Sequence, residues 1–140
     1  MNRKVIETKL VSLQRCLERI KQKTPSQVEV LASDYDLQDI VVLNLQRAVQ
    51  ISVDIATHIL SAKFKIPSSM AESFIYLGQE GILDKNLAER LARSVGLRNI
   101  AVHEYMNLDW VIVHAVSVNN LIDFARFGDA VLRWLDSNQQ

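Results

Sequence analysis

Val111-Ile112-Val113-His114-Ala115-Val116-Ser117-Val118 is the stretch whose reading decides the fold class. Five of its eight residues are β-branched, which favours a strand. A lone strand among helices, however, has no partner for its backbone groups. The residues that follow also keep a helical period. Val113, Val116, Asn120, Phe124, Phe127, Val131 and Trp134 lie at steps of 3, 4, 4, 3, 4 and 3, one stripe of a helix. We therefore read one helix of about 26 residues with a weak first turn. It follows the break at Met106-Asn107-Leu108-Asp109, which carries good caps.

Upstream of that break, Leu87, Leu91, Val95 or Gly96, and Leu97 mark a helix that starts at Asp84. Ile66-Pro67-Ser68-Ser69 interrupts the chain, and Ser69 with Glu72 has the form of a capping box for a short helix ending near Gly78. A long helix is expected from Asp34 or Asp36 to about Lys63, uninterrupted by glycine or proline. Its apolar residues (Leu37, Ile40, Val41, Leu45, Val49, Val53, Ala56, Ile59, Leu60) cover half of the cylinder, which makes it the central helix. Residues 26–35 read as a loop or short irregular piece. Before them, Ile6, Leu10, Leu13, Leu17 and Ile20 line a narrow seam that faces either the chain's own core or another subunit; Thr24-Pro25-Ser26 ends that helix.

The expected architecture is an all-α, up-and-down bundle of four to five helices, one domain over residues 1–140. Two prolines and four glycines in 140 residues agree with long helices. A single cysteine, Cys16, makes no internal disulfide and fits a reducing, cytoplasmic setting. No apolar run approaches the length of a membrane span, and Met1-Asn2-Arg3-Lys4 leads into no signal-like apolar segment. Net charge is zero but uneven, with seven Lys/Arg against two Asp/Glu in residues 1–23. A chain that tracks a nucleic-acid groove is usually basic overall, so DNA is not expected and any RNA contact is local. The basic first helix reads more simply as a solvated face.

Chemistry concentrates in Arg98-Asn99-Ile100-Ala101-Val102-His103-Glu104-Tyr105. Arginine grips phosphate in two-pronged fashion, and histidine moves protons near neutral pH. These are the tools for cutting RNA without a metal, and no Asp/Glu/His cluster has two-metal spacing. On an ideal helix Arg98 and His103 point about 140° apart. Asn99 shares a face with His103, and Tyr105 one with Arg98. Convergence of Arg98 with His103 requires the helix to unwind near His103, or a second copy of the motif across a dimer. Spacing alone leaves open that the motif is coincidence in an ordinary dimeric four-helix protein. Asp39 and Arg47, with Asn44 between them, can share a face; a surface pair is the simpler reading and polar support of the motif the other. His58 and His114 read as packed or capping histidines, and Trp110 and Trp134 as core or interface anchors.

Val95 through Tyr105 resembles the motif of the HEPN ribonuclease superfamily: arginine, a polar residue, a short spacer, histidine. The form with four residues between arginine and histidine, then any residue and tyrosine, is similar to the HepT toxin branch. Leu37-Gln38-Asp39 with Leu43-Asn44-Leu45-Gln46-Arg47-Ala48 resembles that branch's second helix, and Asp109 through Phe124 its last. The resemblance implies a small homodimeric toxin of a type VII-like toxin–antitoxin pair. It would be a metal-independent endoribonuclease, needing no cofactor, that acts on RNA such as tRNA and leaves a 2′,3′-cyclic phosphate. It also implies a minimal nucleotidyltransferase antitoxin, MntA-like, that transfers AMP to the motif tyrosine. Position by position, catalysis falls on Arg98 and His103, support on Asn99, and modification on Tyr105. The competing expectation is a non-catalytic helical binding subunit of a minimal nucleotidyltransferase.

Overall fold

Periodic apolar faces become helices throughout the computed structural model, which describes residues 3–138. Among the described residues there are seven α-helices and no strand: α1 (Arg3–Lys23), α2 (Val28–Ser33), α3 (Tyr35–Ala62), α4 (Met70–Gln79), α5 (Lys85–His103), α6 (Trp110–Asn119) and α7 (Leu121–Ser137). One 3₁₀ turn, Tyr105–Asn107, follows α5. The fold is an all-α bundle, as the sequence predicts.

α3 is the central helix, packed against α1, α4 and α5. It buries Val41, Leu45, Ala48, Val49, Val53, Ile55, Ala56, Ile59 and Leu60. The seam of α1 faces this core rather than another subunit: Ile6, Leu13, Cys16, Leu17 and Ile20 are all buried. Phe74 of α4 meets Phe127 of α7 edge to face, with ring centroids 5.9 Å apart. Trp110 and Trp134 are half-buried against the same core.

Three local details differ from the sequence reading. Residues 28–33 form the short helix α2, not an irregular piece. The buried Gln38 amide donates to the Leu31 carbonyl at 2.9 Å and so ties α2 to α3. Asp34 then ends α2 and caps α3 by accepting from the Leu37 amide. The last helix is two helices, α6 and α7, broken at Asn120 (φ −112°, ψ 0°). Two adjacent asparagines are weak helix formers. The break substitutes an i→i+3 bond, from the Asp123 amide to the Asn120 carbonyl, for one rung of the ladder. Because that turn stays near-helical, Val113, Phe124, Phe127 and Val131 all remain on the buried side. Finally, Ser69 caps α4 as expected, yet Glu72 reaches back to the Ser68 amide and hydroxyl, one residue before the cap.

α4 and α5 pack closely at Gly78, where an added Cβ would lie 2.9 Å from the Ala88 Cβ. Neither atom has a flexible tail to swing aside. Gly78→Ala is therefore expected to destabilise by about 1–3 kcal/mol through overpacking, outweighing a helix-propensity gain of about 1 kcal/mol. Gly96→Ala on α5 meets nothing within 4 Å, so it should show the gain alone. Paired urea melts check the opposite signs. Among the described residues no helix is long and apolar enough to cross a membrane.

Candidate active site at the end of helix α5

α5 starts cleanly because Asp84 accepts from the Asn86 and Leu87 amides. It buries Leu87, Ala88, Leu91 and Val95, leaving the later residues of the helix progressively exposed. A half-buried ion pair fixes its middle against α7: Arg90 Nε donates to Asp123 Oδ1 at 3.1 Å, and Asp123 is 6% exposed. The helix stays regular through His103, where the Glu104 amide makes the last bond, to the Ile100 carbonyl. The chain then tightens into the 3₁₀ turn, and Asp109 starts α6 by accepting from the Val111 amide at 2.9 Å.

Arg98 is half-buried and turned toward α3. Its Nη1 donates to Asn99 Oδ1 at 3.1 Å and its Nη2 to Gln50 Oε1 at 3.2 Å. Gln50 is itself fixed, its Nε2 donating to Asp54 Oδ1 at 2.9 Å. The Arg98 Nε is buried without a hydrogen-bond partner among the described residues, while each Nη keeps a second N–H for an incoming anion. The guanidinium is therefore aimed before any ligand arrives. Asn99, the residue in the polar slot, is the acceptor of one of the two Arg98 bonds.

His103 is exposed and makes no side-chain hydrogen bond among the described residues. Because α5 does not unwind before it, the structure does not bring His103 onto the Arg98 face. Asn99, His103 and Glu104 are exposed together at the lip of the site.

Tyr105 is held at both ends. Its ring meets Trp110 edge to face, with centroids 6.1 Å apart, and its hydroxyl donates to Asp39 Oδ1 at 2.7 Å. Burial, this hydrogen bond and the Asp39 charge all push the phenol well above its ordinary range, burial most strongly. Asp39 thus supports the motif instead of pairing with Arg47. Sequence reasoning missed Gln50 and Asp54. Their signal was present, since Asp39, Gln46, Gln50 and Asp54 form a polar stripe on a helix that is otherwise largely apolar.

The remaining histidines are structural. The His114 Nε2 lies 2.8 Å from the Pro25 carbonyl, joining α6 to the loop after α1, and the His58 Nε2 is buried. Among the described residues no three His, Cys, Asp or Glu side chains group as a metal-ligand set.

This geometry lies inside a segment, residues 13–131, that matches the family model described as Ribonuclease HepT-like. The chain belongs to the HepT-like ribonuclease family. It is 40% identical over 130 residues to the mRNA nuclease HepT of Shewanella oneidensis, covering 91% of this chain and 96% of that protein. It is 39% identical over 107 residues to the tRNA nuclease HepT of Aphanizomenon flos-aquae, covering 75% of this chain and 72% of that protein. Among solved structures, a tri-AMPylated Shewanella oneidensis HEPN toxin in complex with its MNT antitoxin superposes with a TM-score of 0.86. That match has 39% identity and covers 95% of this chain and 99% of the other. The cytosolic protein YutE of Bacillus subtilis, of unknown function, reaches the same TM-score at 12% identity and shares the HepT-like fold alone.

Proposed function

We propose that this chain is a ribonuclease toxin that cuts RNA without a metal ion and is silenced by AMP transfer to Tyr105. The observation that carries the reading is the Arg98 guanidinium, braced by Asn99 and Gln50, with an exposed His103 at the end of the same helix, in a chain of the HepT-like family. The ribose 2′-oxygen bonds to the adjacent phosphorus as the P–O5′ bond breaks. His103 relays the proton from the 2′-oxygen to the departing 5′-oxygen, which leaves as a hydroxyl, and Arg98 stabilises charge on the phosphoryl oxygens. The product is a 2′,3′-cyclic phosphate. The two curated relatives are named for different RNAs at nearly equal identity, so the proposal commits to RNA as a class, tRNA included.

The helical direction difference between Arg98 and His103 supports a homodimer, in which the motifs of two copies line one cleft. A groove bordered by α5 and α6, lined by Leu97, Ile100, Ile112 and Val116 and edged by both Arg93 and Asp109, would give that partner an apolar seat with a charged rim. Its rim includes Ile100 and Ile112, exposed apolar residues that a second copy would cover. The whole chain acts as one domain.

The antitoxin in this reading is an MntA-like nucleotidyltransferase. An AMP on Tyr105 puts bulk and a negative phosphodiester where the RNA backbone must pass. Expression of the chain alone should arrest growth, and co-expression with its nucleotidyltransferase should restore growth while intact-protein mass shows adenylate on Tyr105. Unimpaired growth with unmodified, folded protein would favour a non-catalytic binding subunit.

A further inference from the structure

We propose that Asp39 is the proton acceptor for modification of Tyr105, so that this chain supplies part of the chemistry by which it is silenced. The inference rests on the reading that Tyr105 receives AMP. The Tyr105 hydroxyl already donates to Asp39 Oδ1 at 2.7 Å, across 66 residues of sequence, from the turn after α5 to the first turns of α3.

A phenol attacks phosphorus well only as its proton leaves, and at Tyr105 burial and a neighbouring carboxylate both oppose a free phenolate. The proton must therefore go to a base during the attack. Asp39 is in hydrogen-bond contact with that proton, as a general base must be. Being exposed, it can then release the proton to water. Trp110 packs edge to face on the ring, and with its proton directed to Asp39 the oxygen keeps a lone pair free to attack phosphorus.

The step balances as follows. Tyr105 Oη bonds to the α-phosphorus of a nucleoside triphosphate held by the partner enzyme. The bond from that phosphorus to the bridging oxygen breaks, and pyrophosphate departs with the electron pair. The tyrosine proton passes to Asp39 Oδ1. No oxidant or further reactant is needed.

The test follows the rate of adenylate addition to the full chain by intact-protein mass, with its nucleotidyltransferase and ATP in excess. Asp39→Asn keeps the shape and a hydrogen-bonding group but takes no proton. It should slow addition on the order of 100-fold or more, the range of general-base effects, and Asp39→Glu should recover part of the loss. The decisive arm installs a fluorinated, more acidic tyrosine at position 105. In the Asp39→Asn background it should recover much of the rate, because the phenolate forms without a base; a purely structural Asp39 would leave the loss unrecovered. Addition to Asp39→Asn at the wild-type rate would overturn the proposal and assign the proton to a carboxylate of the partner. A wild-type chain that takes no adenylate at Tyr105 would instead overturn the reading on which it rests.

Discussion

Arg98→Ala is expected to lower single-turnover RNA cleavage by about 10²–10³-fold, the usual cost of losing one preorganised donor to a developing oxyanion. The size of the effect follows from how the side chain is held. Two of its five N–H groups are spent on Asn99 and Gln50, which fix the plane of the guanidinium before RNA binds. Arg98→Lys keeps the charge yet loses the planar fork, so it should recover little of the rate. His103→Ala should cost a comparable 10²–10⁴-fold, as loss of a general acid–base does. It should leave the melting temperature unchanged, since His103 is exposed and makes no side-chain hydrogen bond among the described residues. Melting curves beside the cleavage rates separate chemistry from folding.

Phe127→Ala should carry the largest stability loss. The ring is fully buried, and it meets Phe74 edge to face at 85°. Truncation leaves a cavity at the junction of α4 and α7, costing about 3–5 kcal/mol, to which the lost aromatic pair contributes. Whole domains are stable by only about 5–15 kcal/mol, so a large share of the protein's stability depends on this one ring. Urea denaturation read by far-UV circular dichroism checks the value, and a loss under 1 kcal/mol would show that the core collapses around the gap.

How legible each feature was follows from how local its cause is. Period and caps placed α1, α3, α4 and α5 to within a few residues, because Asp34, Ser69 and Asp84 satisfy amides only two or three positions away. The stretch around Val111 was correctly read as helix against its β-branched composition, since the stripe from Val113 to Trp134 outlasts it. What the stripe hid was the break at Asn120, because one i→i+3 turn shifts the register too little to disturb an apolar pattern. α2 was missed for a different reason. Its six residues bury only Leu31, and the helix is held by Gln38 from α3, a contact between elements.

The candidate site divides in the same way. Arg98, Asn99, His103 and Tyr105 were marked by motif, whereas the long-range contacts on two of them come from α3: Gln50 on Arg98 and Asp39 on Tyr105. Spacing along one helix cannot show which residue of another helix it meets. It did show that Arg98 and His103 diverge, and α5 keeps that divergence by remaining helical through His103. This is the physical reason the proposed cleft takes its two catalytic groups from two copies of the chain.

The most direct test is incubation of end-labelled RNA, with excess EDTA, with the chain purified free of its nucleotidyltransferase and shown by mass to be unmodified at Tyr105. The account predicts cleavage that persists in EDTA, leaves 2′,3′-cyclic phosphate ends, and falls by at least about 100-fold in both Arg98→Ala and His103→Ala. RNA left intact by the folded, unmodified wild-type protein, across both mRNA and tRNA substrates, would contradict it.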